Sequence, residues 1–248
     1  MALNPDGAFT QDGYYGQPNA VANWLTSNTE QVLELASGKG FNAQYLAGRF
    51  PGVELTGIDL TESQVRLARK RSREIGNVTF LQGNFEDLPF EDSSFDLVFV
   101  IESICHATDM RQALSEAYRV LRPKGTFIVI DAWRTNVFDR LSLLIRKAAV
   151  LTEQSMSVGK PWKFDDWLEL AKKVGFAQEA DEDFTAAIMP NLFRFEHMAI
   201  RYFSHLHVAR ITARILSTRL LENAIAGYLM PLTVHAGAHT YRMVVFER

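Results

Sequence analysis

The sequence predicts an α/β fold: a mostly parallel seven-stranded sheet with helices on both faces and a helical lid inserted before the last strand. Two observations predict it. Short β-branched or apolar runs at 31–35, 53–58, 78–82, 95–101 and 126–130 alternate with helical stretches at 41–49, 63–75 and 110–121. Strand and helix alternating in this way build a parallel sheet covered on both faces. After residue 131 the rhythm changes. Helical patterns at 137–151 and 163–174 lead to a turn and strand over 175–184, then to a helical block over 191–229 and an alternating strand over 240–247.

Taken in order, residues 1–30 are polar and aromatic and read as an N-terminal cap, with a short helix expected near 21–26. The α/β core spans 31–188 and 238–248, and 189–237 forms the lid, all within one domain of 1–248. Arg122-Pro123-Lys124-Gly125 ends a helix and turns the chain into the fifth strand. With 248 residues, 47% hydrophobic and 22% charged, the chain has the composition of an ordinary globular protein. A net charge of −3 gives no basic field for a nucleic-acid partner. The single cysteine, Cys105, excludes an internal disulfide framework. No Lys or Arg precedes Lys39, so no signal or transit peptide is expected, and no apolar run approaches the ~18 residues of a transmembrane span. The expected location is cytoplasmic.

Chemistry enters at Val32-Leu33-Glu34-Leu35-Ala36-Ser37-Gly38-Lys39-Gly40, where a hydrophobic strand runs into a glycine turn and a helix follows. Glycine permits positive φ and close backbone approach, and a helix start presents free N–H groups to a ligand. Gly38-Lys39-Gly40-Phe41-Asn42-Ala43 satisfies the dinucleotide pattern, and the next strand ends in Asp59, an acceptor for ribose hydroxyls. At this point NAD and S-adenosylmethionine suit the residues equally.

Three further segments separate them. Gly83-Asn84-Phe85-Glu86-Asp87-Leu88-Pro89-Phe90 follows the third strand and offers an amide and an aromatic ring to an adenine. Ser94 to Glu102 is a buried strand, and Ala113 to Thr126 carries Tyr118-Arg119-Val120-Leu121-Arg122-Pro123-Lys124-Gly125 into the fifth. Together these resemble a class I S-adenosylmethionine-dependent methyltransferase of Rossmann-like fold over residues 31–132. The resemblance implies that Glu34, Ala36, Ser37, Gly38 and Gly40 form the loop around the methionine moiety. It implies that Asp59, with Leu60 and Gln64, holds the ribose, that Asn84 and Phe85 hold the adenine, and that the Ile101 backbone meets the amino-acid end. Ala36 stands where the family generally has its first glycine, and Asn84 where it often has aspartate. An alanine is accommodated there if its φ stays negative.

After the fourth strand, Ile101-Glu102-Ser103-Ile104-Cys105-His106-Ala107 resembles the sterol and tocopherol C-methyltransferase branch. Glu102 is a candidate to steady positive charge or take a proton, or else a strut to the cofactor amino group. His106 is a candidate base, since its intrinsic pKa lies near working pH, or else a capping histidine before the 110–121 helix. Cys105 reads as packing. Ser37 lies in no Gly-x-Ser-x-Gly elbow. The pairs His205/His207 and His235/His239 lack the carboxylate or cysteine partners of a metal site, so no metal is expected.

The lid carries Phe195, Met198, Ala199, Tyr202, Phe203, Leu206, Ile211, Ile215 and Leu216, with Arg194, Arg201, Arg210, Arg214 and Arg219 against Glu196 and Glu222. An apolar stripe under a basic rim suits a small, apolar or lipid-like acceptor, or one met at a membrane surface through peripheral contact. Tyr14, Trp133, Phe195 and Tyr202 are the candidate acceptor contacts. Tyr15, which with Tyr14 is bracketed by Gly13 and Gly16, is expected to fold over the cofactor. Two rivals remain: an NAD-dependent oxidoreductase, opposed by the Asn84 segment and the absence of a Tyr-x-x-x-Lys pair, and a non-catalytic cofactor-binding protein.

Overall fold

The computed structural model describes residues 1–205 and 218–248. Its sheet has seven strands: β1 (Gln31–Leu35), β2 (Glu54–Asp59), β3 (Val78–Gln82), β4 (Phe95–Ile101), β5 (Leu121–Arg134), β6 (Ala177–Asp183) and β7 (His239–Glu247). They lie in the order β3-β2-β1-β4-β5-β7-β6. The pairings of β3 with β2, β2 with β1, β1 with β4 and β4 with β5 are all parallel. Strands buried on both faces read as continuous apolar runs, and Val32, Leu33, Leu97, Val98, Phe99 and Val100 are essentially inaccessible to solvent. Chain order reverses between β1 and β4, which leaves a crevice at the carboxyl ends of those two strands.

The strand β5 is longer than its apolar run. Phe95 pairs with Leu121, but Leu97 pairs with Thr126, so Arg122–Gly125 bulge out of the ladder. Lys124 there has φ 64°. The Lys124 N–H donates to the Arg248 carbonyl at 3.1 Å, and the Arg248 N–H donates to the Gly125 carbonyl at 3.0 Å.

The helices are α1 (Gly16–Ala22), α2 (Phe41–Arg49), α3 (Glu62–Arg71), α4 (Met110–Val120), α5 (Leu143–Ser155), α6 (Phe164–Val174), α7 (Thr185–Ser204) and α8 (Thr218–His235). Several depart from the sequence reading, α3 among them, which ends at Arg71 rather than at 75. The first helix ends at Ala22 rather than running over 21–26, because Pro18 is tolerated in a first helical turn and so starts the helix early. The helix expected over 137–151 begins only at Leu143. Ser142 caps it by accepting the Ile145 N–H, and a short 3-10 turn occupies Phe138–Arg140. The helix α7 starts at Thr185 and runs through Pro190, next to which the Ala187 carbonyl accepts the Asn4 N–H at 2.7 Å. Leu206, His207, Arg210, Ile211, Arg214, Ile215 and Leu216, named in the sequence reading, lie outside the described residues.

Two compact units emerge from the packing. One comprises residues 15–131, 167–182 and 242–248; the other comprises 1–14, 132–166 and 183–241. Residues 1–14 and 132–166 thus group with the helical insertion. In the first unit Phe127, Phe176 and Phe246 stack within 6.3 Å of one another, and Trp167 meets Phe246 at 5.8 Å. In the second, α5 and α7 both pack on α8. The buried Glu153 carboxylate takes a bidentate Arg134 at 2.7 and 2.6 Å and His239 at 3.0 Å. Among the described residues no helix is long and apolar enough to cross a membrane.

Candidate cofactor and active site

The turn after β1 is built from three left-handed residues, Ala36 (φ 51°), Gly38 (φ 53°) and Gly40 (φ 75°). Ala36 therefore overturns the expectation of a negative φ; the turn geometry prevails over the residue, at a strain of about 1–2 kcal/mol. The glycines serve different ends. A Cβ at Gly40 would strike the Phe80 ring at 2.5 Å, and one at Gly57 on β2 would strike the same ring at 2.6 Å. A Cβ at Gly38 would meet nothing within 4 Å. Phe80 fills the space two glycines vacate, whereas Gly38 faces open space.

Carboxylates hold the turn from both sides. Asp59 Oδ2 accepts the Gly38 N–H at 2.8 Å and Oδ1 accepts the Thr61 N–H at 2.8 Å. Glu34 is buried beneath the start of α2, where its oxygens accept the Asn42 amide at 2.9 Å and the Ala43 N–H at 3.1 Å. Burial pushes the Glu34 carboxyl up to about 8, against the lowering pull of those two donors. Ser37 is also buried; its Oγ lies over Gly57 and has no hydrogen-bond partner.

Beyond β2, Leu60 is 68% exposed and Gln64 half-buried. The segment after β3 is pinned from below. Asn84 Oδ1 accepts the Glu86 N–H at 3.0 Å, closing an Asx turn that leaves Phe85 half-buried. The Glu86 carboxylate accepts the Thr108 and Asp109 N–H groups at 2.5 and 3.2 Å. Arg119 donates to the Leu88 and Phe90 carbonyls at 3.0 and 2.7 Å and pairs with Glu116, which accepts the Leu88 N–H at 2.7 Å. Arg119, with Glu116, thus fixes a loop some thirty residues upstream in the sequence.

At the end of β4, Ile101 pairs with Ile130 and the next residue, Glu102, turns to φ 54° while its N–H still donates to the Ile130 carbonyl at 2.8 Å. The left-handed backbone ends the strand at the switch point. His106 is exposed at the close of the 3-10 turn Ile104–His106. It does not cap the following helix: Asp109 does, accepting the Gln112 N–H at 3.1 Å. Cys105 is held by Asp131, whose Oδ2 accepts its N–H at 3.2 Å, and burial with the Asp131 and Glu102 charges pushes its thiol far up. The sequence reading missed Asp131, a 3% exposed carboxylate on β5 just beyond the last residue paired with β4.

Tyr15 packs on the helix after the glycine turn, 4.8 Å from Tyr45 and 5.6 Å from Phe41. The candidate acceptor residues all belong to the second unit. Tyr14 sits edge-on to Phe9 at 6.1 Å and accepts from Arg194 at 3.3 Å. Trp133 is buried edge-on to Phe164 at 5.4 Å. Half-buried Phe195 packs over Gly227, and Tyr202 meets Phe203 at 5.3 Å.

Residues 33–129 match the family model described as a methyltransferase domain. The O-methyltransferase cnsE of Penicillium expansum is 31% identical over 208 residues, covering 77% of this chain and 73% of its own. The chain belongs to the class I S-adenosylmethionine-dependent methyltransferases. A further relative is the sterol 24-C-methyltransferase ERG6B of Gibberella zeae, 33% identical over 63% of this chain and 42% of its own. This methyltransferase spans about half or less of the length of the first curated relatives it matches. Among solved structures, the [4+2]-cyclase SpnF superposes with a TM-score of 0.77 over 100% of this chain and 86% of its own, at 18% identity. A geranyl diphosphate methyltransferase in complex with SAM gives 0.74 over 94% and 84%, at 17% identity. These two likenesses concern the fold. The choice left open at the glycine pattern is decided: the cofactor of the methyltransferase is S-adenosylmethionine.

Proposed function

We propose that this methyltransferase transfers the methyl group of S-adenosylmethionine to a small, apolar, lipid-like acceptor, as a cytoplasmic enzyme. The observation that carries the reading is the β1–β4 switch point, where an open Gly38 and the Asp59 carboxylate stand together. Two backbone donors occupy part of the acceptor capacity of Asp59, and a carboxylate has about four lone-pair sites, so ribose hydroxyls can still be received. Exposed Leu60 and half-buried Phe85 offer apolar faces to an adenine, with Asn84 and Gln64 beside them. Ala36, Ser37, Gly40 and the Ile101 backbone frame the remainder, and Tyr15 covers the cleft from α2. Glu34 acts from below, by holding the start of that helix.

When bound, the cofactor supplies a sulfonium-activated methyl group, and the protein's task is alignment, worth up to ~7–11 kcal/mol. Glu102 and His106 are the proposed acceptor-side groups. Where the acceptor carries a removable proton, a ring nitrogen of His106 receives it; where it is an alkene, the Glu102 carboxylate steadies the positive charge that forms. The apolar class is supported by the sterol and geranyl groups in the relatives' names and by the aromatic side chains Tyr14, Trp133, Phe195 and Tyr202. Incubation with methyl-labelled cofactor and panels of isoprenoid, sterol, phenolic and amine acceptors tests the reading. Label in an apolar product supports it. Tight cofactor binding with no transfer to any panel would favour the non-catalytic alternative.

A further inference from the structure

The helix α5 presents an outward face that its own packing does not explain. Its inner residues Ala149, Thr152, Glu153 and Ser155 are buried. Its outer face carries Leu143 at 60% exposure and Leu144 at 74%, then Val150 and Leu151, also exposed. Positions 143, 144, 147, 150 and 151 fall on one side of an α-helix, so these side chains form one stripe two turns long. Adjacent, largely exposed leucines are uncommon unless something covers them.

Along α5 and back to Arg140 before it, the charge up to Thr152 has one sign. From Arg140 to Thr152 the chain holds Arg140, Arg146 and Lys147 and no acidic residue. The two flanking carboxylates have partners of their own. Asp139 pairs with Lys163 at 2.5 Å, and Glu153 is buried with Arg134 and His239. An apolar stripe that carries Lys147 within it and Arg140 just before it complements a surface that is apolar inside and anionic at its rim. Two copies of this face would bring like charges together, which disfavours self-association.

We propose that α5 is an interfacial anchor that lays Leu143, Leu144, Val150 and Leu151 into the headgroup–acyl boundary of an anionic lipid membrane, with Arg140 and Lys147 on the phosphates. The sequence reading set any membrane contact on the arginine rim of 189–237; α5 adds an exposed apolar stripe on an earlier helix. The inference concerns surface chemistry and does not depend on the transfer reaction.

Co-sedimentation with phosphatidylcholine vesicles, with and without phosphatidylserine, tests it on the full chain. Binding is expected to the anionic vesicles, weakening as salt is raised. Leu143→Ser/Leu144→Ser is expected to reduce the partition at least about tenfold, since it removes two leucines from the buried apolar face. A second readout guards against misfolding. Leu144→Cys, made in a Cys105→Ser background because Cys105 is only half-buried, is expected to shift blue on anionic vesicles when labelled with a polarity-sensitive dye. Equal partition by the double serine variant, no binding to any vesicle, or a concentration-dependent dimer abolished by that variant without vesicle binding would each overturn the proposal.

Discussion

Asp59 Oδ2 receives the backbone N–H of Gly38 at 2.8 Å, tying the end of β2 to the turn after β1. The same carboxylate is the proposed ribose acceptor, so its loss acts twice. Asp59→Ala is expected to weaken S-adenosylmethionine binding by ~1.5–3 kcal/mol and to lower stability by about 1 kcal/mol. Calorimetric titration and urea denaturation read the two effects separately. Unchanged affinity in a folded Asp59→Ala protein would remove Asp59 from the site.

Ala36 occupies left-handed backbone without the freedom of glycine. Ala36→Gly releases strain of about 1–2 kcal/mol and adds roughly 0.5–1 kcal/mol of unfolded-state entropy, so a net gain of a few tenths to 1 kcal/mol is expected. Ala36→Val, β-branched in the same conformation, is expected to lose more than the glycine variant gains. Urea midpoints compare the three proteins. If Ala36→Gly is the least stable of them, the turn does not have the described backbone.

Burial holds the Glu34 carboxyl at about 8 in the folded chain, above its ordinary value of 4.5. The folded state therefore keeps a proton that the unfolded state releases. This contribution is fully present below pH 4.5 and is lost as pH rises through 8. Glu34→Gln cannot ionise and is expected to escape the loss. Between pH 6 and pH 9 the variant should gain roughly 2–3 kcal/mol relative to the parent. Parallel stability–pH curves would show that Glu34 ionises normally in the fold.

Glu102 and His106, just after β4 and at the close of the following 3-10 turn, are the proposed acceptor-side groups, and variants separate their proposed duties. If the acceptor must lose a proton, His106→Asn is expected to depress kcat by about 10²–10⁴-fold, with partial recovery at higher pH. Glu102→Gln is then expected to matter less. If the acceptor is an alkene, the ranking reverses, and Glu102→Gln should lower kcat more than it lowers cofactor affinity. Full turnover in both variants would make the two residues structural.

The parallel strands were legible because burial on both faces leaves near-continuous apolar runs, as in Phe95–Ile101. The glycine turn after β1, the place of Asp59 at the end of β2 and the loop after β3 were legible as positions, because such segments recur at fixed spacing after successive strands. Other features had no local trace. Ala36 carries no preference for positive φ, so its strain is imposed by the turn. Asp131 meets Cys105 across 26 residues, and a strand-end carboxylate looks the same whether solvated or buried. The start of α5 was blurred because Val137, Phe138 and Leu141 are apolar in helical rhythm, and only the Ser142 cap marks the boundary. The exposure of Leu143 and Leu144 could not be foreseen, since an apolar stripe ordinarily points inward.

Phe80 occupies the room left by both Gly40 and Gly57, while Gly38 borders empty space. A descendant that had abandoned methyl transfer would still need the first two glycines, since any side chain there collides with its own interior. It could let Gly38 drift to asparagine, aspartate or another residue that tolerates left-handed backbone. In a pseudoenzyme descended from such a chain, the surviving Gly40 would report foldability. Gly38 would report whether anything was still being bound.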